Sequence, residues 1–458
     1  MAQSKPPDER EAQAAPSDWL YSTLVDRGGE KALADLGDAD TVGDDEPVVQ
    51  RTVRPLKVAY VTRHDPEDVV MLSGSVYYVR KALESAGLDV IPVAPLETRW
   101  PGFHHRIRRA YARIGKQYRW ELAPAVVRHF NRQADEALRS VEADVIFSPE
   151  TIPVCRLRDP RPLVFYTDAT FDGLLDYYAA YTNLCRPSLR AGHAVYQAAL
   201  SRCTLAVFTS EWAVDTALRC YKVDPAKLRV VPLGANLPSP VSRDQVESAV
   251  GCRDPDCIEP LFIGREWMRK GGPVALQVVA ELARRGQPAR LTLMGRPREI
   301  PADLQPLVRQ TGHLRQSDPE QAAKWREVFS TSHFLVLPTQ AECFSYAAAE
   351  ACAFGVPVIA TRTGGLPEVV KDGVNGQLLG VDASVATWCD QLQGLVADKA
   401  RYRRLCMSAR DAHEERLNWR ANGERLAEVV HEAVDIRQRR STTTTGTGAS
   451  CAGAASSR

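Results

Sequence analysis

The sequence predicts an α/β protein built on two parallel sheets, and three observations predict it. Short apolar runs of four to six residues recur along most of the chain. Helical patterns of about 10 to 15 residues separate them, as expected for parallel strands covered on both faces. The series breaks once, in a polar, proline-containing stretch from Pro238 to Val250. The 458 residues suffice for two or three domains at about 150 residues each.

The first set opens with Lys57–Thr62, a continuous buried-strand pattern. Ser73-Gly74-Ser75 follows, then a helix from about Val76 to Ser85 closed by Gly87. Asp89–Ala94, Asp144–Phe147, Leu163–Thr167, Leu205–Thr209 and Leu228–Pro232 continue the strands. The second set runs Leu261–Gly264, Ala289–Met294, Phe334–Leu337, Pro357–Ala360 and Gly376–Leu379. A single long amphipathic helix is expected over about Arg401–Ile436. The expected organisation is a leader over 1–54, domains over 55–240 and 241–410, a terminal helical segment over 411–440 and a disordered tail over 441–458. The leader reads as largely disordered, with one short helical pattern through Trp19–Val25.

Composition excludes several classes. With 44% hydrophobic and 25% charged residues the chain is neither collagen-like nor wholly disordered nor a small disulfide scaffold. The net charge of +1 hides a split: residues 1–50 carry four basic and twelve acidic side chains, a balance of −8, against +9 on the rest. No apolar signal core and no run of about 18 apolar residues is present, so a cytoplasmic chain without a membrane span is expected. The eleven cysteines are scattered, and Cys252 and Cys257 lack a second pair, which favours reduced thiols over a zinc site.

Ligands of parallel sheets sit at the carboxyl ends of the strands, so the chemistry belongs in the strand-to-helix loops. Gly74 lets a phosphate or sugar hydroxyl approach a helix N-terminus, although a simple turn fits it equally. Arg265 and Lys270, beside Gly264, Gly271 and Gly272, place two cations near flexible backbone and suit a diphosphate; solvated surface charge is the alternative. Glu342 and Glu350 flank a helix expected to start near Phe344, with free N–H groups at its first turn. Glu350, about two turns down, reaches a nucleotide ribose, and Glu342 can face a sugar. The stretch Thr363-Gly364-Gly365-Leu366-Pro367-Glu368 is a tight turn and a proline-started helix, functional or purely structural.

In this order GREWMRKGG, AECFSYAAAE, GVPVIATRTGGLPEVV and DGVNGQLL resemble the nucleotide-binding half of glycosyltransferase family 4, with Glu342 and Glu350 as its E-x7-E pair. The resemblance spans about residues 55–435, most specifically 261–380. It implies the GT-B fold, two facing Rossmann-like domains with a C-terminal helix crossing back to the first. It also implies retaining sugar transfer from a nucleotide diphosphate sugar, GDP- or UDP-linked. Arg265 and Lys270 would then bind the diphosphate, Glu350 the ribose, and Glu342 with the amides of Phe344, Ser345 and Tyr346 the donor sugar and phosphate. Gly74 would lie near the diphosphate, and Gly234 in the interdomain loop Leu233–Asn236. The chain departs from the family pattern at Cys343 and Ser345, where glycines are usual, and at Thr167, where a histidine is usual. Asp168 remains as the acceptor-side polar residue.

Asp-x-Asp occurs only at Asp38-Ala-Asp40 and Asp254-Pro-Asp256, neither after a buried strand, so a metal-independent reaction without a cofactor is expected, with Arg265 and Lys270 neutralising the leaving group. A small specialised metabolite or a thiol is the expected acceptor. A lipid- or polysaccharide-directed transferase and a nucleotide-sugar 2-epimerase are the alternatives. One feature stands apart: Arg99, Arg106, Arg108, Arg109, Arg113, Lys116 and Arg119 interleave with Trp100, Phe103, Tyr111, Tyr118 and Trp120. A solvated helix is the favoured reading; membrane or nucleic-acid docking by a binding protein is the rival. No nucleic-acid partner is expected, and the oligomeric state is left open.

Overall fold

The computed structural model describes residues 54–98, 101–237, 239–254 and 256–446. The expected leader through Val53, including Asp38-Ala-Asp40, together with Arg99, Trp100 and the tail from residue 447, lies outside the described residues.

Two six-stranded sheets carry the fold. The first contains β1 (Lys57–Val61), β2 (Asp89–Val93), β3 (Val145–Ser148), β4 (Leu163–Thr167), β5 (Leu205–Phe208) and β6 (Leu228–Val230). The second contains β7 (Pro260–Gly264), β8 (Leu291–Gly295), β9 (Val308–Gly312), β10 (Phe334–Leu337), β11 (Val358–Thr361) and β12 (Gly376–Leu379). Every pairing is parallel, in the orders β2-β1-β3-β4-β5-β6 and β12-β11-β10-β7-β8-β9. Central strands such as β3, β5 and β10 are buried throughout, which explains their continuous apolar sequence.

One buried cluster runs from Val58 and Tyr60 through Leu335 and Ala348 to Leu426, Val430 and Ala433, so the two sheets share a core through the chain's last helix. That helix, Trp419–Gly446, packs on the helix Ser75–Ser85. At Gly423 a Cβ would stand 2.2 Å from the Ala82 carbonyl oxygen, so only glycine admits this approach. Asn422, buried beside it, donates to the Pro232 carbonyl at 2.7 Å and to the Tyr166 hydroxyl at 3.1 Å.

Four expectations need correction. The single helix over Arg401–Ile436 is two, Lys399–Arg416 and Trp419–Gly446. Asn418 separates them: its Nδ2 donates to the His413 and Glu414 carbonyls while its Oδ1 accepts from the Ala421 N–H. Residues 441–446, expected to be disordered, continue the second helix. The polar break after Pro238 contains a helix, Arg243–Cys252, opened by a reciprocal Ser242–Gln245 capping box. Strand β9 had no counterpart in the sequence reading, because its polar VRQTG segment is only half-buried at the sheet edge.

Candidate functional site

In each sheet the connections reverse direction between two neighbouring strands, and the crevice at their carboxyl ends is where such sheets bind ligands. In the second sheet those strands are β7 and β10. Gly264 ends β7 and Arg265 follows it; the segment Pro338–Ser345 follows β10. The two loops touch at Gly271, whose φ is +79° and where a Cβ would meet the Pro338 carbonyl oxygen at 2.0 Å. That contact carries Lys270 to Glu342, and the two form an ion pair. Arg269 reaches the same carboxylate oxygen at 3.4 Å, pairs with Glu266 at 2.8 Å and lies 4.9 Å from the centre of the Tyr178 ring. The sequence reading missed Arg269, which its spacing does not distinguish from a solvated neighbour.

Arg265 stands apart from this cluster. It is exposed, its Nη2 lies 3.4 Å from His313 Nε2, and its carbonyl accepts from Arg298. The two expected cations thus have different partners: Lys270 is half-buried against Glu342, while Arg265 is exposed beside His313.

The helix after β10 spans Tyr346–Ala353, two residues later than expected, because Ser345 is its N-cap and accepts from the Ala348 N–H at 3.4 Å. The N–H groups of Phe344, Ser345, Tyr346 and Ala347 have no protein acceptor among the described residues. They form the donor-rich end of a helix dipole, a ready anion site. Glu350 is buried below it, and burial pushes its carboxyl up to about 8 while Lys270 opposes the shift. Its charge is felt at Tyr78, on the helix that Gly74 opens from the other half. Gly74 has a φ of +82°, and a Cβ there would stand 2.9 Å from the Tyr78 ring and from the Val69 carbonyl oxygen.

The reversal in the first sheet falls between β1 and β3. Here the sequence reading missed a polar cluster. Glu150 accepts from Thr62 Oγ1 at 2.9 Å and from the Arg63 backbone and Nε at 2.6 Å each. Against burial, Arg63 and His64 hold its carboxyl below the usual range. Asp168 follows β4 and is exposed; its carboxylate accepts a hydrogen bond from its own backbone. Desolvation by the surrounding protein raises its pKa against that hydrogen bond, and the Glu342 charge adds to the rise. Thr167 turns its hydroxyl to the Ala169 carbonyl at 3.2 Å.

Several contacts join the halves beside the crevice. Gly234 lies against the backbone of Asn418 and Trp419, with an added Cβ 2.5 Å from the Trp419 nitrogen. Asn236 donates to the Ser73 carbonyl at 2.9 Å and accepts from the Trp419 indole at 3.0 Å. Tyr177 and Tyr178, also missed in the sequence, reach the loop at Glu342 and Cys343. Gly364 and Gly365 allow a close backbone approach: added Cβ atoms would stand 2.0 Å from the Glu342 carbonyl oxygen and 1.8 Å from that of Cys343.

The basic stretch forms the helix Pro101–Ala112 and the segment after it. Arg106, Arg109, Arg113 and Lys116 are exposed there, while Arg119 turns inward to pair with Glu121 and lie 4.6 Å from the centre of the Tyr181 ring. Asp254 and Asp256 precede β7, at the wrong end of the strand for a ligand site. The ten described cysteines are free thiols, seven of them buried. Among the described residues no helix is long and apolar enough to cross a membrane.

Comparison with known proteins agrees with this architecture. Sucrose-phosphate synthase from Thermosynechococcus elongatus superposes with a TM-score of 0.60 at 18% identity, over 83% of this chain and 99% of that one. HepE from Anabaena, solved in complex with UDP and glucose, superposes with a TM-score of 0.54 at 14% identity, over 82% of this chain and 99% of that one. The fold is GT-B. A D-inositol 3-phosphate glycosyltransferase from Rhodococcus erythropolis is 32% identical over 224 residues, 46% of this chain and 50% of the relative. One from Xylanimonas cellulosilytica is 31% identical over 251 residues, 52% of this chain and 58% of the relative. The matches thus span about half the length of these curated relatives. Residues 73–238 match Glycosyltransferase Family 4 and residues 259–398 match Glycosyl transferases group 1, together about two thirds of the chain. With both halves of the family in their proper order around one crevice, the chain belongs to glycosyltransferase family 4.

Proposed function

We propose that the chain is a retaining, metal-independent glycosyltransferase that moves a sugar from a nucleotide diphosphate sugar to a small acceptor. The observation that carries this reading is the crevice between β7 and β10, where Lys270 and Glu342 face the open N–H groups of Phe344 to Ala347 with Glu350 beneath.

The leaving diphosphate gathers negative charge as the bond to the sugar C1 breaks. Lys270 and the helix N-terminus meet that charge without reorganising, and Arg265 meets it from its exposed position. The breaking bond leaves its electron pair on the phosphate oxygen. The acceptor oxygen bonds to C1 on the same face and yields its proton to that phosphate. Glu350 holds the ribose hydroxyls, Glu342 the sugar, and Gly74 leaves room for the diphosphate on the opposite wall. Gly234 serves the site indirectly, through its contact with Trp419. Asp168 stands on the acceptor side, where a carboxylate without a cation suits a hydroxyl donor.

UDP- and GDP-sugars both fit this donor chemistry; the fold shared with the UDP complex of HepE favours testing UDP first. The relatives named for D-inositol 3-phosphate support a small polyhydroxy acceptor, alongside a specialised metabolite or a thiol.

Thermal protection by UDP and GDP, followed by nucleotide release from a panel of their sugars, tests the reading. Lys270→Ala and Glu350→Ala should each strongly lower turnover in a folded chain. Unchanged turnover in both removes the site assignment, and an epimerised nucleotide sugar formed from donor alone favours the 2-epimerase.

A further inference from the structure

The loop that carries Glu342 is held from both sides. On one side Gly365 donates its N–H to the Glu342 carbonyl at 2.9 Å. On the other side two tyrosine hydroxyls arrive from the first half. Tyr177 Oη accepts the Glu342 N–H at 2.8 Å, lies 3.3 Å from the Glu342 carbonyl oxygen and shares a hydrogen bond with Thr363 Oγ1 at 2.9 Å. Tyr178 Oη accepts the Cys343 N–H at 3.1 Å.

Both rings are themselves fixed. The Tyr177 ring packs 5.1 Å from the Trp212 ring, and the Tyr178 ring takes the Arg269 guanidinium on its face at 4.9 Å. Arg269 is in turn bound to Glu342 and to the Ala341 carbonyl. The space is closed around these contacts: a Cβ on Gly364 would stand 2.2 Å from Tyr177 Oη. Buried backbone N–H groups need acceptors. At Glu342 and Cys343 the other half of the molecule supplies them, whereas those of the next four residues stay open.

We infer that Tyr177 and Tyr178 are positioning residues: they lock the Glu342 loop from the acceptor half, so that the donor loop reaches its working geometry only when the two halves are closed. The inference deepens the proposed function, because the loop they hold is the one assigned to the donor sugar. The tyrosines also decide which amides a ligand meets, occupying those of Glu342 and Cys343 and leaving those of Phe344 to Ala347. The segment bearing them, between Leu174 and Ala179, follows the same β4 end that carries Asp168.

Hydrogen exchange by mass spectrometry on the full chain tests the lock without any substrate. Tyr177→Phe/Tyr178→Phe should speed exchange at Glu342 and Cys343 at least tenfold, with the interior of the sheets unchanged. Thr363→Val, which removes a partner of Tyr177 and a 3.3 Å hydrogen bond to the Gln340 carbonyl of the same loop, should act in the same direction and less strongly. Turnover is then measured with whichever UDP- or GDP-sugar the wild type uses, and nucleotide affinity with UDP and GDP alone. The double variant should lose tenfold or more in kcat while nucleotide affinity stays within threefold. Unchanged exchange overturns the lock. Faster exchange with unchanged kcat overturns the positioning role. A wild type that turns over no nucleotide sugar counts against the proposed function alone, and the exchange result still decides the lock.

Discussion

Lys270 Nζ and the Glu342 carboxylate are ion-paired between the loops after β7 and β10, with side chains only 15% and 7% exposed. Arg269 touches the same oxygen and also pairs with Glu266, so two cations and two carboxylates form one balanced network. In the proposed reaction Lys270 is the member of this network assigned to the leaving diphosphate.

Replacing Lys270 by alanine should lower kcat by about 10²–10³, the scale on which one preorganised electrostatic partner acts. Stability should change little, because Arg269 still pairs with Glu342. Removing both cations leaves a buried carboxylate alone and should cost about 3–5 kcal/mol in urea unfolding. Equal stability of the single and double variants would show that the carboxylate does not depend on them.

Glu350 predicts a pH signature. Its carboxyl titrates near 8 in the folded chain against an ordinary value of 4.5. Between these values the folded state keeps a proton that the unfolded chain has released. Its contribution therefore makes stability fall as pH rises through that window, and levels off beyond each end. Glu350→Gln lacks the term, so the stability of this variant relative to wild type should grow from pH 5 to pH 8, by at most about 1.4 kcal/mol per unit. Denaturant titrations of both chains at several pH values measure the difference, and a flat difference contradicts a buried, protonated carboxyl.

Gly365→Ala should act on the site through backbone alone. A Cβ at 1.8 Å from the Cys343 carbonyl oxygen must push the Glu342–Cys343 segment away. The expected outcome is a loss of about 1–3 kcal/mol, the scale of overpacking, with a fall in kcat larger than the loss of folded protein explains. Thermal melts beside turnover separate the two effects.

Asn422→Ala should destabilise the chain by about 1–3 kcal/mol, since the Pro232 carbonyl and the Tyr166 hydroxyl lose a buried donor. Nucleotide affinity in the folded fraction should be unaffected, because Asn422 is buried and bonded to Pro232 and Tyr166 rather than to Lys270, Glu342 or Glu350. Weakened binding of UDP or GDP by folded protein would contradict this division.

The strands were legible because parallel strands covered on both faces must be apolar throughout, as β5 and β10 are. Edge strand β9 was not, since its residues are only partly buried and its sequence is polar. The terminal helix read as continuous because apolar spacing persists across Leu417 and Asn418, and only the capping bonds of Asn418 reveal the break. Lys270, Glu342 and Glu350 were legible because local spacing sets them beside a strand end and a helix start. Tyr177 and Tyr178 were not, as they act on a loop 165 residues later, and short-range pattern carries no record of that distance. Glu150 escaped for the same reason: its partner Arg63 lies 87 residues earlier.

The return of the last helix to the first sheet has a consequence in time. The Pro232 carbonyl is satisfied by a side chain 190 residues further on. At about 5–20 residues per second, a ribosome makes that carbonyl roughly 10–40 seconds before its partner exists. Through that interval the outer surface of the helix Ser75–Ser85 has no neighbour from Trp419 onward to cover it. The first sheet is thus synthesised early and finished late, and a nascent chain must stay soluble with that surface bare until its final helix emerges.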